Sequence, residues 1–243
     1  MTNWRFGMRH RTQFNTAALP YIPPPLITLD FQNGRYWAQG LGDITVDQAV
    51  MQDGNIASFD PTVDIIAGKG LVRSNTIPGF RRGPVLTPAL YSLISNGFTA
   101  VVSGSIPSLV NNESALMSCN WRGDAGVAPY LECRSGWYNT KFLTDIYGFD
   151  QNFGENVHIQ DAMQTVMPQR YAFTTNDDGS IVALSAAGRQ PVTGNGGTNQ
   201  PGMTAIFISI YLDTADDTAM PAIEEVMFYP PVDPSVLPFL SSE

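Results

Sequence analysis

Residues 204–213, TAIFISIYLD, alternate without a break: Ile206, Ile208, Ile210 and Leu212 fall on one side, Phe207, Ser209 and Tyr211 on the other. A two-residue period is the signature of an extended strand and cannot be laid on a helix. Related runs recur from residue 97 onward: GFTAVVSGSI, SALMSCNW, APYLECRSGWYN, RYAFTT and SIVALSAAG. Upstream, Pro61, Pro78, Pro84 and Pro88 interrupt the chain too often for a long helix. Many short strands joined by turns, with almost no helix, predict an all-β antiparallel sandwich.

The turns are visible too. LITLDF alternates apolar Ile27, Leu29 and Phe31 with Leu26, Thr28 and Asp30, and Asn33-Gly34 then predicts a hairpin because both residues accept positive φ. Asp178-Gly179 marks a second reversal, between RYAFTT and SIVALSAAG. GFTAVVSGSI is apolar on both faces and belongs in the middle of a sheet. Between residues 40 and 97 the reading is open: DITVDQAVMQDGN fits a short helix or a strand and turn, and Pro88 can start a helical turn running to Ile94. No repeat of 20–50 residues stands out, which excludes propellers and solenoids.

The last strand carries a phase error. In AIEEVMFYPP, Val226 and Phe228 share a face, but Ile223 has the wrong parity to join them. A β-bulge at Glu224-Glu225 corrects it. Neighbouring strand residues point to opposite faces, so Glu224 and Glu225 are not expected to form a catalytic pair.

Residues 1–25 have no clean period and end in Pro23-Pro24-Pro25, which favours an extended polyproline spacer. The division expected is an arm and linker over 1–25 and a sandwich over 26–243. Net charge is −9, but residues 1–82 hold eight Lys/Arg against six Asp/Glu, and residues 83–243 hold five against sixteen. The acidic body argues against nucleic acid as a partner. Arg5, Arg9 and Arg11, beside Trp4, precede the first acidic residue, Asp30. The arm is either a partner-binding segment for an acidic protein surface or an unattached terminus. No apolar run near Met1 forms a signal sequence and none is long enough for a membrane span, so no membrane association is expected.

The chemistry-bearing residues are few. Cys119 and Cys133 are placed to face each other across a hairpin, as a disulfide or as two buried thiols, and no zinc-binding spacing is present. His10 and His158 are the only histidines, and no Gly-x-Ser-x-Gly elbow accompanies them. GNGG at 194–197 lacks the Lys-Ser/Thr of a phosphate loop and reads as a surface loop. Asn176, Asp177 and Asp178, and Asp213, Asp216 and Asp217, offer calcium-type oxygens, but such residues are also what turns require, and that reading is preferred. Arg122-Gly123-Asp124 is assigned to turn geometry. Trp121, Trp137, Tyr138 and Asn139 are the candidate glycan-binding platform, against the reading that a sandwich-strand Trp is core. No cofactor, metal or catalytic residue is expected.

LITLDFQNGRYW, NGFTAVVSGSI, RYAFTTNDDGSIVALSAAGRQPVT and AIEEVMFYPPVDPSVLPFLSS together resemble the concanavalin A-like (laminin-G/lectin-type) β-sandwich of structural proteins in tailed bacteriophages and gene transfer particles. In that family the last strand runs through an isoleucine, two polar residues and an apolar–aromatic run to Tyr-Pro, as Ile223 to Pro230 do here. The resemblance covers residues 26–243, with residues 40–95 fitting it least. It implies a concanavalin A-like jelly roll with adjacent first and last strands. It further implies a non-enzymatic virion protein (fibre, spike or capsid decoration), oligomeric, attached to other virion proteins by its arm and contacting host surface glycans. A free carbohydrate-binding lectin and a glycan-cleaving enzyme are the alternatives.

Overall fold

The computed structural model describes residues 20–52, 59–72, 81–106, 115–122, 130–138, 141–149, 155–163, 170–176, 181–195, 204–212 and 221–242. For some strand residues, among them Trp137, Tyr138 and His158, it describes the backbone alone. The described strands form two antiparallel sheets. The first runs in the order β16 (Val192–Asn195), β15 (Ile181–Ala186), β14 (Arg170–Asn176), β9 (Gly97–Ser105), β18 (Ala222–Tyr229), β1 (Ile27–Asp30), β2 (Arg35–Ala38) and β3 (Gly42–Ile44). The small hairpin β5 (Ile65–Ile66) and β6 (Gly70–Val72) joins it along β18. The second runs β13 (Glu155–Met163), β12 (Lys141–Phe149), β11 (Tyr130–Tyr138), β10 (Ala115–Arg122), β17 (Ala205–Leu212), β8 (Val85–Leu86) and β4 (Val50–Met51), with β7 (Arg81–Arg82) also on β17.

The alternation in sequence becomes the core. Ile27, Leu29 and Phe31 from β1 and its turn, Phe98, Ala100 and Val102 from β9, and Met117, Cys119 and Trp121 from β10 all point between the sheets. Ile206, Ile208 and Ile210 join them from β17. Phe98 is the hub: its ring meets Phe173, Phe228 and Trp121 edge-on at centroid distances of 5.6, 5.7 and 5.6 Å. The Trp121 contact crosses from one sheet to the other, which ties the layers together by a directional contact as well as by burial.

β1 pairs with β18, so the first and last strands are adjacent as the resemblance implied. The register of β18 on β9 slips between Ile223 and Glu225, placing a bulge where the phase error called for one. Ile223, Val226 and Phe228 all reach the core as a result. Gly70 packs against this bulge with φ of 110°, and a Cβ there would collide with the Ile223 carbonyl oxygen. Only glycine combines that backbone with that approach.

β9 is central, and its outer face is covered as well. The chain after β18 folds back over it as a turn of 3-10 helix at Pro234–Val236 and α4 (Leu237–Ser241). Val236, Leu237 and Leu240 pack on Val101, Ala172, Ala183 and Tyr229. The Thr99 hydroxyl donates to Thr174 Oγ1 at 2.8 Å and accepts from the Val232 N–H at 3.0 Å, pinning the start of this strap. Ser241 shares a hydrogen bond with Ser185 and accepts from the Gly188 N–H, pinning its end.

Several expectations are refined. DITVDQAVM holds both alternatives in succession: β3, then α1 (Val46–Ala49), then β4. The short α2 (Pro61–Asp64) starts on a proline capped by Asp60, and α3 (Pro88–Tyr91) starts on Pro88 and continues in turns to Ile94. At the first hairpin only Gly34 takes positive φ (65°), while the Asn33 N–H bonds the Asp30 carboxylate at 3.0 Å. The reversal is therefore a four-residue turn built on an aspartate side chain, not a two-residue turn. Gly194 and Asn195 belong to β16 and pair with Val182 and Ile181, so GNGG begins in a strand and is not wholly a loop.

Candidate functional site

The outer face of the second sheet is polar, and the same alternation produces it. With Met117, Cys119 and Trp121 turned inward, Ser118 and Asn120 of β10 must face out. By the same parity Glu132 and Arg134 of β11, Asp145 of β12, and Phe207 and Ser209 of β17 take the outer side. Register lines them up in two rows. Ser209, Ser118, Arg134 and Asp145 are successive cross-strand partners, and so are Phe207, Asn120 and Glu132.

This face is not open to water as a sheet's outer surface ordinarily is. Ser118, Asn120, Glu132, Asp145 and Ser209 are all at most 3% exposed. Most of their polar atoms are satisfied within the rows. The Arg134 fork grips Asp145 through both oxygens, Nε to Oδ1 at 2.7 Å and Nη2 to Oδ2 at 3.0 Å. Ser118 and Ser209 share a 2.6 Å hydrogen bond, and Asn120 Nδ2 reaches Ser118 Oγ at 3.5 Å. Asn120 Oδ1 is buried with no hydrogen-bond partner. An unsatisfied buried carbonyl costs about 1–3 kcal/mol, so this acceptor takes up a donor wherever one can reach it.

The charge on this face is felt in the core beneath it. Burial pushes the Cys133 thiol well up, and the Asp145 and Glu132 carboxylates add to the effect while Arg134 opposes it. Cys119 is raised by burial alone. The two cysteines are direct cross-strand partners, as the spacing suggested, and both are free buried thiols. Glu132 and Asp145 are diagonal neighbours on adjacent strands. With both Asp145 oxygens held by one guanidinium, the pair suits charge-stabilised hydrogen bonding better than proton transfer.

Of the sequence-derived platform only the Trp121 side chain lies among the described residues, and it is not exposed. Trp121 is 3% exposed, stacks on Phe98 and donates its indole N–H to the Tyr91 hydroxyl at 3.0 Å. It is a core residue and cannot present a ring to a ligand. Its parity with Met117 and Cys119 already placed it there. Trp137 pairs in register with Ala115 and Phe142, and Tyr138 with Lys141. Their side chains, Asn139, and the arm residues Trp4, Arg5, Arg9 and Arg11 lie outside the described residues. So do His10, Asp177, Asp178, Asp213, Asp216, Asp217 and the Gly123-Asp124 pair. Among the described residues no group of three His, Cys, Asp or Glu could hold a metal, and no helix is long and apolar enough to cross a membrane. Glu224 sits at the bulge and Glu225 beyond it.

Sequence reasoning missed Asn120, Glu132, Arg134 and Asp145. The signal was present, because SALMSCNW and YLECRS each alternate apolar with polar residues inside strands central to a sheet. What the alternation lacked was any sign that the polar side would be buried.

No protein-family model matches the chain, and no curated protein matches it in sequence. Among solved structures, the CBM2 module of Lactobacillus casei BL23 phage J-1 evolved Dit is similar with a TM-score of 0.53 and 9% identity, covering 86% of this chain and 96% of that one. A prokaryotic β-1,3-1,4-glucanase (lichenase) derived from a mouse hindgut metagenome reaches a TM-score of 0.48 at 13% identity, over 84% of this chain and 98% of that one. The Ruminococcus gnavus IT-sialidase CBM40 reaches 0.44 at 12% identity, over 66% and 93%. At such identities the likeness is one of fold. The chain is an all-β antiparallel jelly roll of the lectin-like, concanavalin A-like kind.

Proposed function

We propose that this chain is a non-enzymatic virion structural protein that displays a lectin-like domain and contacts host surface glycans through the polar outer face of its second sheet. The observation that carries the glycan contact is the polar band on that face: it reaches solvent at Arg134, 15% exposed, and holds one unspent acceptor, Asn120 Oδ1, one pleat away. A polyhydroxylated ligand brings the donors such a band lacks. Tyr138, two pleats along β11 from Arg134, is the further proposed contact, with Trp137 and Asn139 as its chain neighbours. The virion assignment is supported by the sequence resemblance and by fold similarity to a module of a phage protein. Residues 1–25 are the attachment arm, with Trp4, Arg5, Arg9 and Arg11 gripping an acidic surface on another virion protein. The protein works as an oligomer in the particle, assembled in the host cytoplasm, without cofactor, metal, nucleic acid or membrane.

The test is retention of the full chain on immobilised host surface polysaccharide. Asn120→Ala is expected to weaken retention roughly tenfold, the scale of one lost hydrogen bond in a dry site. Its melting temperature checks that the sheet is intact. No retention of the wild type on any host polysaccharide refutes the glycan contact. Reducing sugar released during the incubation refutes the non-enzymatic assignment. A chain beginning at residue 26 is expected to lose incorporation into particles while keeping its fold.

A further inference from the structure

Among the described residues, the C-terminal strap covers only part of the first sheet's outer face. It covers β14, β15 and β9, and its apolar cluster ends at Met227 and Tyr229 of β18. Beyond that lie β1, β2 and β3, whose outer side chains form a shelf about 10–15 Å wide at the usual strand spacing. Trp37 stands in the middle of it. It is 37% exposed, while Tyr36 and Ala38 on either side point into the core. Its direct cross-strand partners are Thr28 on β1 and Asp43 on β3, and Met227 follows Thr28 on β18. One pleat away, Arg35, Asp30 and Glu225 form a second row in register. A half-open indole ringed by a hydroxyl, carboxylates and one guanidinium is not how a sheet protects an edge, for which charges alone suffice.

We infer that the Trp37 shelf is a second carbohydrate site, on the opposite side of the sandwich from the Asn120 band, for a neutral pyranose. The apolar face of a sugar ring stacks on the indole, and its equatorial hydroxyls donate to Asp43 and Asp30 and accept from Arg35 and Thr28. Asp43, Asp30 and Glu225 outnumber Arg35 and, across β9 from Glu225, Arg170, so the shelf is net acidic and disfavours a sialic or uronic acid, which sets the ligand class. The Asp30 carboxylate is held by Asn33 through two Nδ2 contacts at 2.9 and 3.1 Å, so it is oriented before any ligand arrives. Pre-organisation of this kind lowers the cost of binding. Leu41, 57% exposed, lies in the turn between β2 and β3 at the end of this shelf, and Tyr21, 80% exposed, precedes β1 in the chain. They make a docked protein the competing occupant, which the experiment must separate.

The experiment is affinity electrophoresis of the full chain in gels carrying neutral glucan, mannan or galactan, and in gels carrying a sialylated or uronic-acid polymer. Wild type is expected to be retarded by at least one neutral polymer. Trp37→Ala should cut that retardation about tenfold, and Trp37→Phe should keep part of it, since a stacked ring is what is lost. Asp43→Asn tests the flanking acceptor. Trp37→Phe and Asp43→Asn are expected to keep the melting temperature of wild type, and a folded baseline for Trp37→Ala is checked by its own melting curve. Asn120→Ala should leave this retardation intact, and Trp37→Ala should leave the Asn120-dependent retention intact, so either site can fail alone. Equal retardation of Trp37→Ala and wild type overturns the inference, and so does retardation only by the acidic polymers or by none. A fall in solution mass of Trp37→Ala, measured by light scattering, also overturns it by showing that the shelf joins protein copies.

Discussion

At the residue scale, Glu225 shows how position changes the meaning of a side chain. It lies directly opposite Asp30 on the outer face of the first sheet. Half-burial raises its pKa first of all, Asp30 raises it further, and Arg170 pulls it back. A raised folded-state pKa favours the protonated form. Its stabilising contribution is therefore full below the ordinary glutamate value and is lost as pH rises through the folded pKa. Glu225→Gln removes that loss. The variant is expected to match wild type near pH 4, about the ordinary glutamate range, and to melt higher at neutral pH. Melting curves across that window check it; a variant less stable than wild type at neutral pH would contradict the assignment. Trp121 teaches the same lesson from the other side. An aromatic residue near Gly-rich sequence suggested a ligand platform, but strand parity and the Tyr91 hydroxyl make it core.

At the element scale, the bulge in β18 is the best test of legibility. It was readable because three apolar residues had to reach one face and a strict two-residue period allows only two. The structure adds what the bulge costs and what holds it: Gly70 must be glycine to pass the Ile223 carbonyl. Deleting Glu224, the extra residue of the bulge, leaves Ile223 and Val226 two residues apart, so Ile223, Val226 and Phe228 share one face of a regular strand. That deletion is expected to cost less than about 1 kcal/mol, whereas Ile223→Ala is expected to cost about 2–5 kcal/mol, the scale of a lost large aliphatic side chain. Urea unfolding would measure both, and a deletion as costly as Ile223→Ala would mean that the bulge does more than correct the phase. The strap after β18 was less legible. VDPSVLPFLSS reads as a short apolar tail, and its alternate use of Val236, Leu237 and Leu240 depends on Val101, Ala172 and Ala183 being presented to it. Nothing local in the tail specifies that surface.

At the scale of the whole molecule, the two sheets are joined through one aromatic hub. Phe98 contacts Phe173 and Phe228 in its own sheet and Trp121 in the other. Phe98→Ala leaves a cavity at the centre of the sandwich, and its cost is expected at about 3–5 kcal/mol by chemical denaturation. The same variant should also loosen Trp121, seen as a red shift of indole emission in the folded state. A cost near that of a surface substitution would show that the hub is dispensable.

The alternation of residues along each strand determined by itself that this chain is an antiparallel sandwich, which side chains enter its core and where its last strand must bulge. Those are local consequences of a backbone that turns successive side chains to opposite faces. The two candidate binding faces were decided only by tertiary structure. Ser118, Asn120, Glu132, Arg134 and Asp145 come from three different strands, and only cross-strand register brings them into two rows. Trp37 matters because the strap's apolar cluster stops at β18, short of β1 to β3, and the reach of a tail over a sheet is not written in the period of either.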